Sequence, residues 1–193
     1  MRVLSDTAWA VVGVAGAFGG LKVVESLRPA VTGDDVGAPA DQAGLRELPR
    51  AYVLSAGAIV ASPALTSGLP RWCGPLGVAV QVAGVVLRVW AMRTLSGHYA
   101  HAVRVVEDQP VIHSGPYRHV RHPGYLGVVL LWAGAALAAR NVLAPALTLA
   151  AVGTAYRLRM EAEDALLRRE LPGYDAYAAS TPRLIPALRG RRP

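Results

Sequence analysis

The sequence predicts an all-α integral membrane protein with about five transmembrane helices, and two observations support this prediction. Of its 193 residues, 53% are hydrophobic and only 17% are charged, whereas soluble domains carry about 25% charged residues. Asp, Glu, Lys and Arg are absent from five long windows, at residues 7–21, 51–70, 72–87, 124–139 and 141–156. A bilayer core of about 30 Å needs roughly 20 mostly apolar residues per helix, so each window marks a candidate membrane segment.

The first three windows predict an N-terminal region, residues 1–94, with three membrane helices. The third reaches membrane length only if residues 89–92 are added, which places Arg88 inside a helix or close to its end. An arginine at that depth is a functional candidate, and snorkelling to the interface is the alternative. Residues 28–49 are rich in Asp, Gly and Pro, which is typical of a flexible linker.

The first window is also interpretable as a signal peptide, because Arg2 precedes an apolar run that ends in small residues. The run continues past the possible cleavage site, which favours a membrane helix. Its glycines do not have the spacing of a nucleotide-binding loop and are expected to let neighbouring helices approach closely; they are Gly13, Gly16, Gly19 and Gly20.

The last two windows are each short and are separated by Arg140 alone, which predicts a tight helical hairpin. Asn141 is the expected cap of the second arm, and Pro145 suits its first turn.

Arginines predict the orientation of these segments. The stretch before the hairpin contains Arg104, Arg118 and Arg121, and eight more follow Tyr156, namely Arg157, Arg159, Arg168, Arg169, Arg183, Arg189, Arg191 and Arg192. The positive-inside rule places both regions in the cytoplasm. The net charge of +7 is therefore explained by topology and anionic lipid, and no nucleic-acid partner is expected.

All five histidines lie between His98 and His122. Pro123 suits the first position of the fourth membrane helix and His122 its cap, which gathers polar groups where a helix N-terminus favours anions. The histidines could instead be interfacial anchors. A metal site is a further alternative, with pairs at 98/101 and 119/122 and the thiol of Cys73, but third and fourth ligands are not evident, and no metal site is predicted.

Residues 156–171 continue the fifth segment as a charged helix. Asp164 is expected to form an ion pair with Arg168, in the favourable order along a helix. Glu163 follows Arg159 in the less favourable order, so Glu163 is the better candidate for ligand binding.

With these residues assembled, the chain resembles the isoprenylcysteine carboxyl methyltransferase family, within a wider group of membrane methyltransferases that includes phospholipid-type enzymes. The matching motifs are Ser-Gly-Pro-Tyr at 114–117, Val-Arg-His-Pro-Gly-Tyr-Leu-Gly at 120–127, Glu-Asp at 163–164, Pro-Gly-Tyr-Asp-Ala-Tyr at 172–177 and Arg-Leu-Ile-Pro at 183–186. They cover about half the chain, within a methyltransferase region at residues 95–193 that also includes the hairpin and a cytoplasmic C-terminal helix.

The resemblance implies S-adenosylmethionine as the methyl donor, held on the cytoplasmic side by the C-terminal half of the chain. Carried over by position, the cofactor contacts are Gln109, Pro110, Val111, Ile112, Tyr117, His122, Pro123, Gly124, Tyr125 and Glu163. The substrate-side arginine of the family corresponds to Arg159, the predicted catalytic residue. Two positions depart from the family pattern, because Gln109 stands where His is frequent and Asp164 replaces a second Glu.

The expected acceptor is lipophilic and enters from the bilayer, and a carboxylate is favoured because it needs positioning by Arg159 and no base. An amine, phenol or thiol acceptor would need a base, for which His98, His113 and His119 are candidates. Two other classes stay open: an NADPH-dependent sterol-type reductase, which shares an Arg-His-Pro-x-Tyr segment, and a non-catalytic membrane scaffold.

Overall fold

A computed structural model describes residues 4–27, 39–65, 68–95 and 110–185, with the backbone alone at residues 39–46. Gln109, residues 28–38, the candidate base His98 and its partner in the alternative metal pair, His101, lie outside the described residues. Within the described ranges every regular element is helical, as predicted. The helices are α1 Asp6–Ser26, α2 Pro39–Ala61, α3 Cys73–Leu95, α4 Pro123–Ala138, α5 Leu143–Glu170 and α6 Tyr174–Ser180, with 3-10 turns at Ser62–Ala64 and Gly115–Arg118.

Helix α4 is the centre of the bundle and contacts α1, α3 and α5. Its Trp132 is fully buried; the ring of Tyr52 stacks on it at 5.1 Å and the edge of Phe18 meets it at 5.4 Å. Tyr52 and Phe18 belong to α2 and α1, so one indole joins three helices. Each such aromatic pair contributes about 0.5–1.5 kcal/mol through its packing geometry.

Glycines set the close contact between α3 and α4. A Cβ atom at Gly134 would lie 2.5 Å from the carbonyl oxygen of Gly77, and one at Gly127 would lie 2.7 Å from that of Gly84. Each helix therefore offers two glycines seven residues apart, and the two backbones meet at both levels. This is the packing by small residues that membrane helices commonly use.

The glycines of α1 follow the same principle at three of the four predicted positions. A Cβ atom would lie 2.5 Å from the Ala135 carbonyl oxygen at Gly13, and 2.8 Å from the Gln81 side chain at Gly16. At Gly20 it would lie 2.9 Å from Val85, whereas Gly19 faces open space.

Helix α2 differs from the prediction at both ends. It begins at Pro39, inside the segment expected to be a flexible linker, because residues 40–48 are mostly good helix formers. It ends at Ala61, before residue 70, because Ser62 and Pro63 change the chain to a 3-10 turn. The helix therefore has a charged first half and an apolar second half.

The predicted hairpin of α4 and α5 is confirmed. The Asn141 side chain accepts a hydrogen bond from the Ala144 amide at 2.8 Å and donates one to the Ser62 hydroxyl at 2.7 Å. Pro145 lies in the first turn of α5. Arg140 turns the chain with a φ of 60°, in the left-handed region, and its guanidinium contacts Asp6 at 2.5 Å.

Among the described residues, two helices are long and apolar enough to cross a bilayer, Asp6–Ser26 and Cys73–Leu95. Helix α4 is equally apolar but shorter, while α2 and α5 each combine an apolar half with a charged half. The outer faces of the bundle expose many large apolar side chains: Val11, Val12 and Phe18 on α1; Val53, Leu54 and Val60 on α2; Val82, Val86 and Trp90 on α3; and Leu147, Leu149 and Leu158 on α5.

Candidate functional site

The candidate site lies where the N-terminal end of α4 meets the second half of α5. The His122 and Tyr125 rings stack at 5.5 Å with an interplanar angle of 8°. From α5, Glu163 places its Oε2 atom 3.8 Å from His122 Nδ1, and Arg159 Nε donates to the Tyr125 hydroxyl at 2.9 Å. The structure therefore brings together four of the residues carried over from the family resemblance.

The start of α4 sets the direction of the His122 ring. Pro123 occupies the first turn, where its missing N–H is not needed, and His122 is the N-cap, as predicted. The His122 side chain does not cap the helix. Its imidazole instead faces α5, which makes it available to two adjacent carboxylates, Glu163 and Asp164.

Asp164 is the most heavily bonded group of the site. Only 2% of the residue is exposed, and Oδ1 accepts from His122 Nε2 at 2.9 Å and from the Tyr174 hydroxyl at 2.6 Å. Oδ2 accepts from Arg183 Nε at 2.8 Å and lies 3.2 Å from Arg121 Nη1. The predicted pair with Arg168 is wrong, because Asp164 points into the protein and Arg168 binds the exposed Asp175 at 2.8 Å.

These bonds determine the ionisation of Asp164 and Tyr174. Burial alone would raise the pKa of the Asp164 carboxyl, but hydrogen bonds from His122 and Tyr174, with the charge of Arg121, hold that pKa well below its usual range. Burial and the bond to Asp164 raise the pKa of the Tyr174 hydroxyl far above its usual value. Asp164 is therefore an ionised carboxylate at neutral pH. Tyr174 stays protonated, and its hydroxyl is the donor in the hydrogen bond to Asp164.

The hydrogen bonding of Glu163 differs from that of Asp164. Its side chain is 26% exposed, and its buried Oε2 atom has no hydrogen-bond partner among the described residues. A buried carboxylate oxygen without a donor is unfavourable unless a ligand supplies one. Of the two neighbouring carboxylates, Asp164 receives donors from the protein on both oxygens, whereas Oε2 of Glu163 keeps an unused acceptor position.

Arg159 is 5% exposed, and its guanidinium carbon lies 5.8 Å from the centre of the Tyr125 ring. It belongs to a row of residues on α5 at intervals of four, which therefore share one face of the helix: Ala151, Ala155, Arg159 and Glu163. The row begins with small apolar side chains and ends with the two charged groups of the site.

The two alanines of that row line a cavity of about 520 Å³ between α2 and α5. Alanines and leucines form most of its walls, and the ion pair of Glu47 and Arg50, at 2.7 Å, lies among them on α2. The wall residues Leu54 and Leu158 are 67% and 47% exposed, so the cavity opens to the outer surface of the bundle.

The remaining predicted contacts lie on two sides of this site. The Gly124 carbonyl accepts from Arg88 Nη1 at 3.0 Å, so the charge inside α3 is directed at the start of α4. Pro110 is exposed and Ile112 is half-buried. Val111 packs on an apolar cluster of Leu171, Tyr174 and Tyr177.

Tyr117 is held through its backbone, because its carbonyl accepts from the Tyr177 hydroxyl at 2.7 Å. Burial raises the pKa of that hydroxyl to about 12, so it remains a donor. Tyr117 lies in the 3-10 turn Gly115–Arg118, in which Gly115 adopts a φ of 55°. A Cβ atom at Gly115 would lie 2.7 Å from the Thr94 hydroxyl, so a side chain there would meet the end of α3.

Three residues with clear positions in the site were not predicted to belong to it: Arg121, Tyr174 and Arg183. Each lies inside one of the quoted motifs, so the signal was present, but their common partner is visible only in three dimensions. In the part of the chain that the structure describes, no three His, Cys, Asp or Glu side chains are arranged to hold a metal ion.

Comparison with known proteins bears on residues 77–169, which match the model of the isoprenylcysteine carboxyl methyltransferase (ICMT) family. The chain is also 29% identical over 115 residues to the nickel-cobalt-cadmium resistance protein NccN of Alcaligenes xylosoxydans xylosoxydans. That alignment covers 60% of this chain and 49% of NccN, so the chain spans about half the length of this curated relative. Residues 77–169, which include α4 and nearly all of α5, are thus similar to the isoprenylcysteine carboxyl methyltransferase family.

Proposed function

We propose that the protein is a multi-pass membrane methyltransferase that uses S-adenosylmethionine to methylate a lipophilic acceptor, with a carboxylate as the favoured acceptor group. The observation that carries this proposal is the Glu163 Oε2 atom, which is buried without a partner among the described residues and lies 3.8 Å from His122 Nδ1. The family match over residues 77–169 supports methyl transfer as the reaction class.

The exposed apolar faces of α1, α2, α3 and α5 support a membrane location, because soluble proteins rarely expose such large apolar surfaces. In the proposed topology α1 and α3 cross the bilayer, and the apolar half of α2 and the hairpin of α4 and α5 lie within it. The charged half of α5, α6 and the arginine-rich C-terminal region then lie in the cytoplasm, as the positive-inside rule requires.

The chemistry of the residues fits the proposed methyl donor. The Glu163 carboxylate can accept two hydrogen bonds from ribose hydroxyls, and its unsatisfied oxygen is the atom that such a ligand would satisfy. Tyr125 offers an aromatic face for adenine or for a sulfonium cation. The remaining proposed contacts are Gln109, Pro110, Val111, Ile112, Tyr117, His122, Pro123 and Gly124.

The cavity between α2 and α5 supports a lipophilic acceptor. Its apolar walls suit an alkyl chain, and the row from Ala151 to Arg159 leads from it to the site. Arg159 is the proposed catalytic residue, which would hold an acceptor carboxylate by a two-pronged contact. In this arrangement Arg159 lies between the position of the acceptor tail and the ligand-binding Glu163.

S-adenosylmethionine, when bound, supplies an activated methyl group on a sulfonium centre. A carboxylate acceptor carries its own nucleophilic oxygen, so the protein needs no general base for this acceptor. The residues of the site would then align the methyl donor with the acceptor and exclude water. Alignment of two reactants alone gives a large part of the rate acceleration of such reactions.

Binding of S-adenosylmethionine and of NADPH to the purified protein in detergent, measured by calorimetric titration, tests this proposal. We expect binding of S-adenosylmethionine, and methyl transfer from it to solvent-extractable lipophilic carboxylates. Binding of NADPH alone would support the reductase instead, and binding of neither would support the scaffold.

The role of Arg159 is tested with Arg159→Ala. We expect this variant to bind S-adenosylmethionine as the wild type does and to lose turnover by about 100-fold or more, in line with removal of a charge-assisted contact to the reacting group. Unchanged turnover would exclude Arg159 from acceptor binding.

A further inference from the structure

The carboxylate of Asp164 joins four separate parts of the chain. Besides α5, which carries it, donors reach it from His122 at the start of α4, from Tyr174 in α6 and from Arg183 after α6. Its two oxygen atoms accept three hydrogen bonds, and a further guanidinium, that of Arg121, lies at 3.2 Å. A group with so many partners at 2% exposure determines how these four parts are arranged.

The bond to His122 also fixes which ring nitrogen carries the proton. An ionised carboxylate can only accept hydrogen bonds, so His122 Nε2 must be the donor in the contact at 2.9 Å. The other nitrogen, Nδ1, then points toward Glu163 Oε2 at 3.8 Å. In a neutral ring Nδ1 is an acceptor, and it faces the side on which Glu163 offers its own unpartnered oxygen.

Residues 181–185 are attached to the same point by backbone and side chain. The Arg121 amide donates to the Pro182 carbonyl at 2.8 Å, and the His122 amide donates to the Arg183 carbonyl at 3.1 Å. These bonds align the segment beside residues 121–122, and the bond from Arg183 Nε to Asp164 fastens its side chain. His122 is therefore held through its ring and its backbone by two connected groups.

We propose that Asp164 is a positioning residue, which together with Arg183 holds the His122 ring protonated at Nε2 with Nδ1 directed to the ligand side, and thereby makes residues 181–185 part of the binding-site wall. The identity of the ligand in this inference rests on the proposed function, whereas the orientation of the ring does not. The two neighbouring carboxylates thus have different roles. Glu163 binds the ligand, and Asp164 aligns the His122 ring.

The ring state is measured by ¹⁵N NMR on protein labelled at histidine, with the His122 signals assigned from a His122→Gln variant. We expect a protonated Nε2 in the wild type at neutral pH. In Asp164→Asn, one acceptor oxygen remains for several donors, and we expect the Nε2 signature of His122 to be lost or to become a mixture of tautomers. A wild-type ring without a proton on Nε2 would overturn the proposal.

Affinity for S-adenosylmethionine gives a second readout, on variants whose folding is checked by thermal unfolding. We expect Asp164→Asn to weaken binding roughly 10- to 100-fold, the factor for one charge-assisted hydrogen bond. Arg183→Gln, at a side chain that is 43% exposed, should fold normally and weaken binding about tenfold. The matched control is Asp175→Asn, which removes an exposed carboxylate bonded to Arg168 and should leave affinity and the His122 signals unchanged.

Wild-type affinity in both Asp164→Asn and Arg183→Gln would overturn the positioning role, and wild-type affinity in Arg183→Gln alone would remove residues 181–185 from the site wall. If the wild type binds no S-adenosylmethionine at all, the proposed function fails. The NMR measurement still decides the orientation of His122 in that case, so the two failures are distinguishable.

Discussion

The apolar body and the polar end of the molecule are stabilised in different ways. The apolar body consists of α1, α3, α4 and the apolar halves of α2 and α5, and the polar end consists of residues 110–122 and 159–185. In the body, many small contacts share the stabilisation, such as the paired glycines of α3 and α4 and the two rings that pack on Trp132. In the polar end, one carboxylate connects four parts of the chain.

This difference indicates which parts of the protein should tolerate a substitution and which should not. A body packed by dispersion and close backbone approach has no single essential group, although any of its glycine contacts resists an added atom. The polar end depends on Asp164, because removing it leaves two arginines and a histidine without their shared anion. The proposed ligand-binding site lies in this polar end, so the alignment of its residues depends mainly on one carboxylate, that of Asp164.

The largest effect is expected for Asp164→Ala. Loss of the central carboxylate leaves buried cationic and donor groups unpaired, which should lower the free energy of unfolding by about 3–5 kcal/mol. Thermal unfolding in detergent measures it, with Glu161→Ala as the control, since Glu161 lies on the same helix and is 44% exposed. Equal stability of the two variants would show that the polar end is not organised around Asp164.

A smaller effect is expected for Gly134→Ala in the apolar body. The added Cβ atom would lie 2.5 Å from the Gly77 carbonyl oxygen, so α3 and α4 must separate, at a cost of about 1–3 kcal/mol. Gly153→Ala is the matched control, because nothing lies within 4 Å of its Cβ position and helix propensity should stabilise that variant by roughly 0.5–1 kcal/mol. Similar effects of the two substitutions would argue against close packing of α3 on α4.

Acid should weaken the polar end before the body. Asp164 has a folded pKa below its unfolded value of about 3.9, so its stabilisation is fully present above that pH and is lost as the pH falls below it. Unfolding free energies measured between about pH 6 and about pH 3 should fall at the acid end in the wild type. In Asp164→Asn this part of the decline should be missing, and an identical decline in both proteins would contradict the assignment.

The smallest effect is expected for the exposed pair of Arg168 and Asp175, which join α5 to α6 at 2.8 Å. Both side chains are at least half exposed, so solvent and salt screen their attraction, and Asp175→Asn should change the unfolding free energy by about 1 kcal/mol or less. A loss comparable to that of Asp164→Ala would mean that charge alone, without burial, stabilises this end.

The apolar body was largely predictable from the sequence, because windows without charge and punctuation by Pro and Asn are local signals. Pro123 begins α4, Asn141 caps the hairpin and Arg88 lies inside α3, all as expected. The start of α2 was missed because residues 39–49 are polar enough for a linker yet favour a helix. Local composition does not separate a solvated helix from a linker.

The polar end was predictable only in part. The family motifs indicated His122, Tyr125, Arg159 and Glu163, which the fold brings together. The partners of Asp164 were not predictable from helix spacing, which favoured Arg168 one turn away. Arg121 and Arg183 are distant in sequence and meet Asp164 because backbone bonds align their two segments, and that alignment is a property of the folded chain.

The role of Glu163 is tested most directly by comparing Glu163→Ala with Glu161→Ala in calorimetric titration with S-adenosylmethionine, with His122→Ala in parallel. Glu163 and Glu161 lie two residues apart on α5, but Glu163 faces His122, whereas the half-exposed Glu161 lies 3.6 Å from Arg157 and 4.0 Å from Arg183. We expect wild-type affinity for Glu161→Ala, and no measurable binding for Glu163→Ala and His122→Ala while both remain folded. Wild-type affinity in Glu163→Ala would show that this carboxylate does not bind the methyl donor.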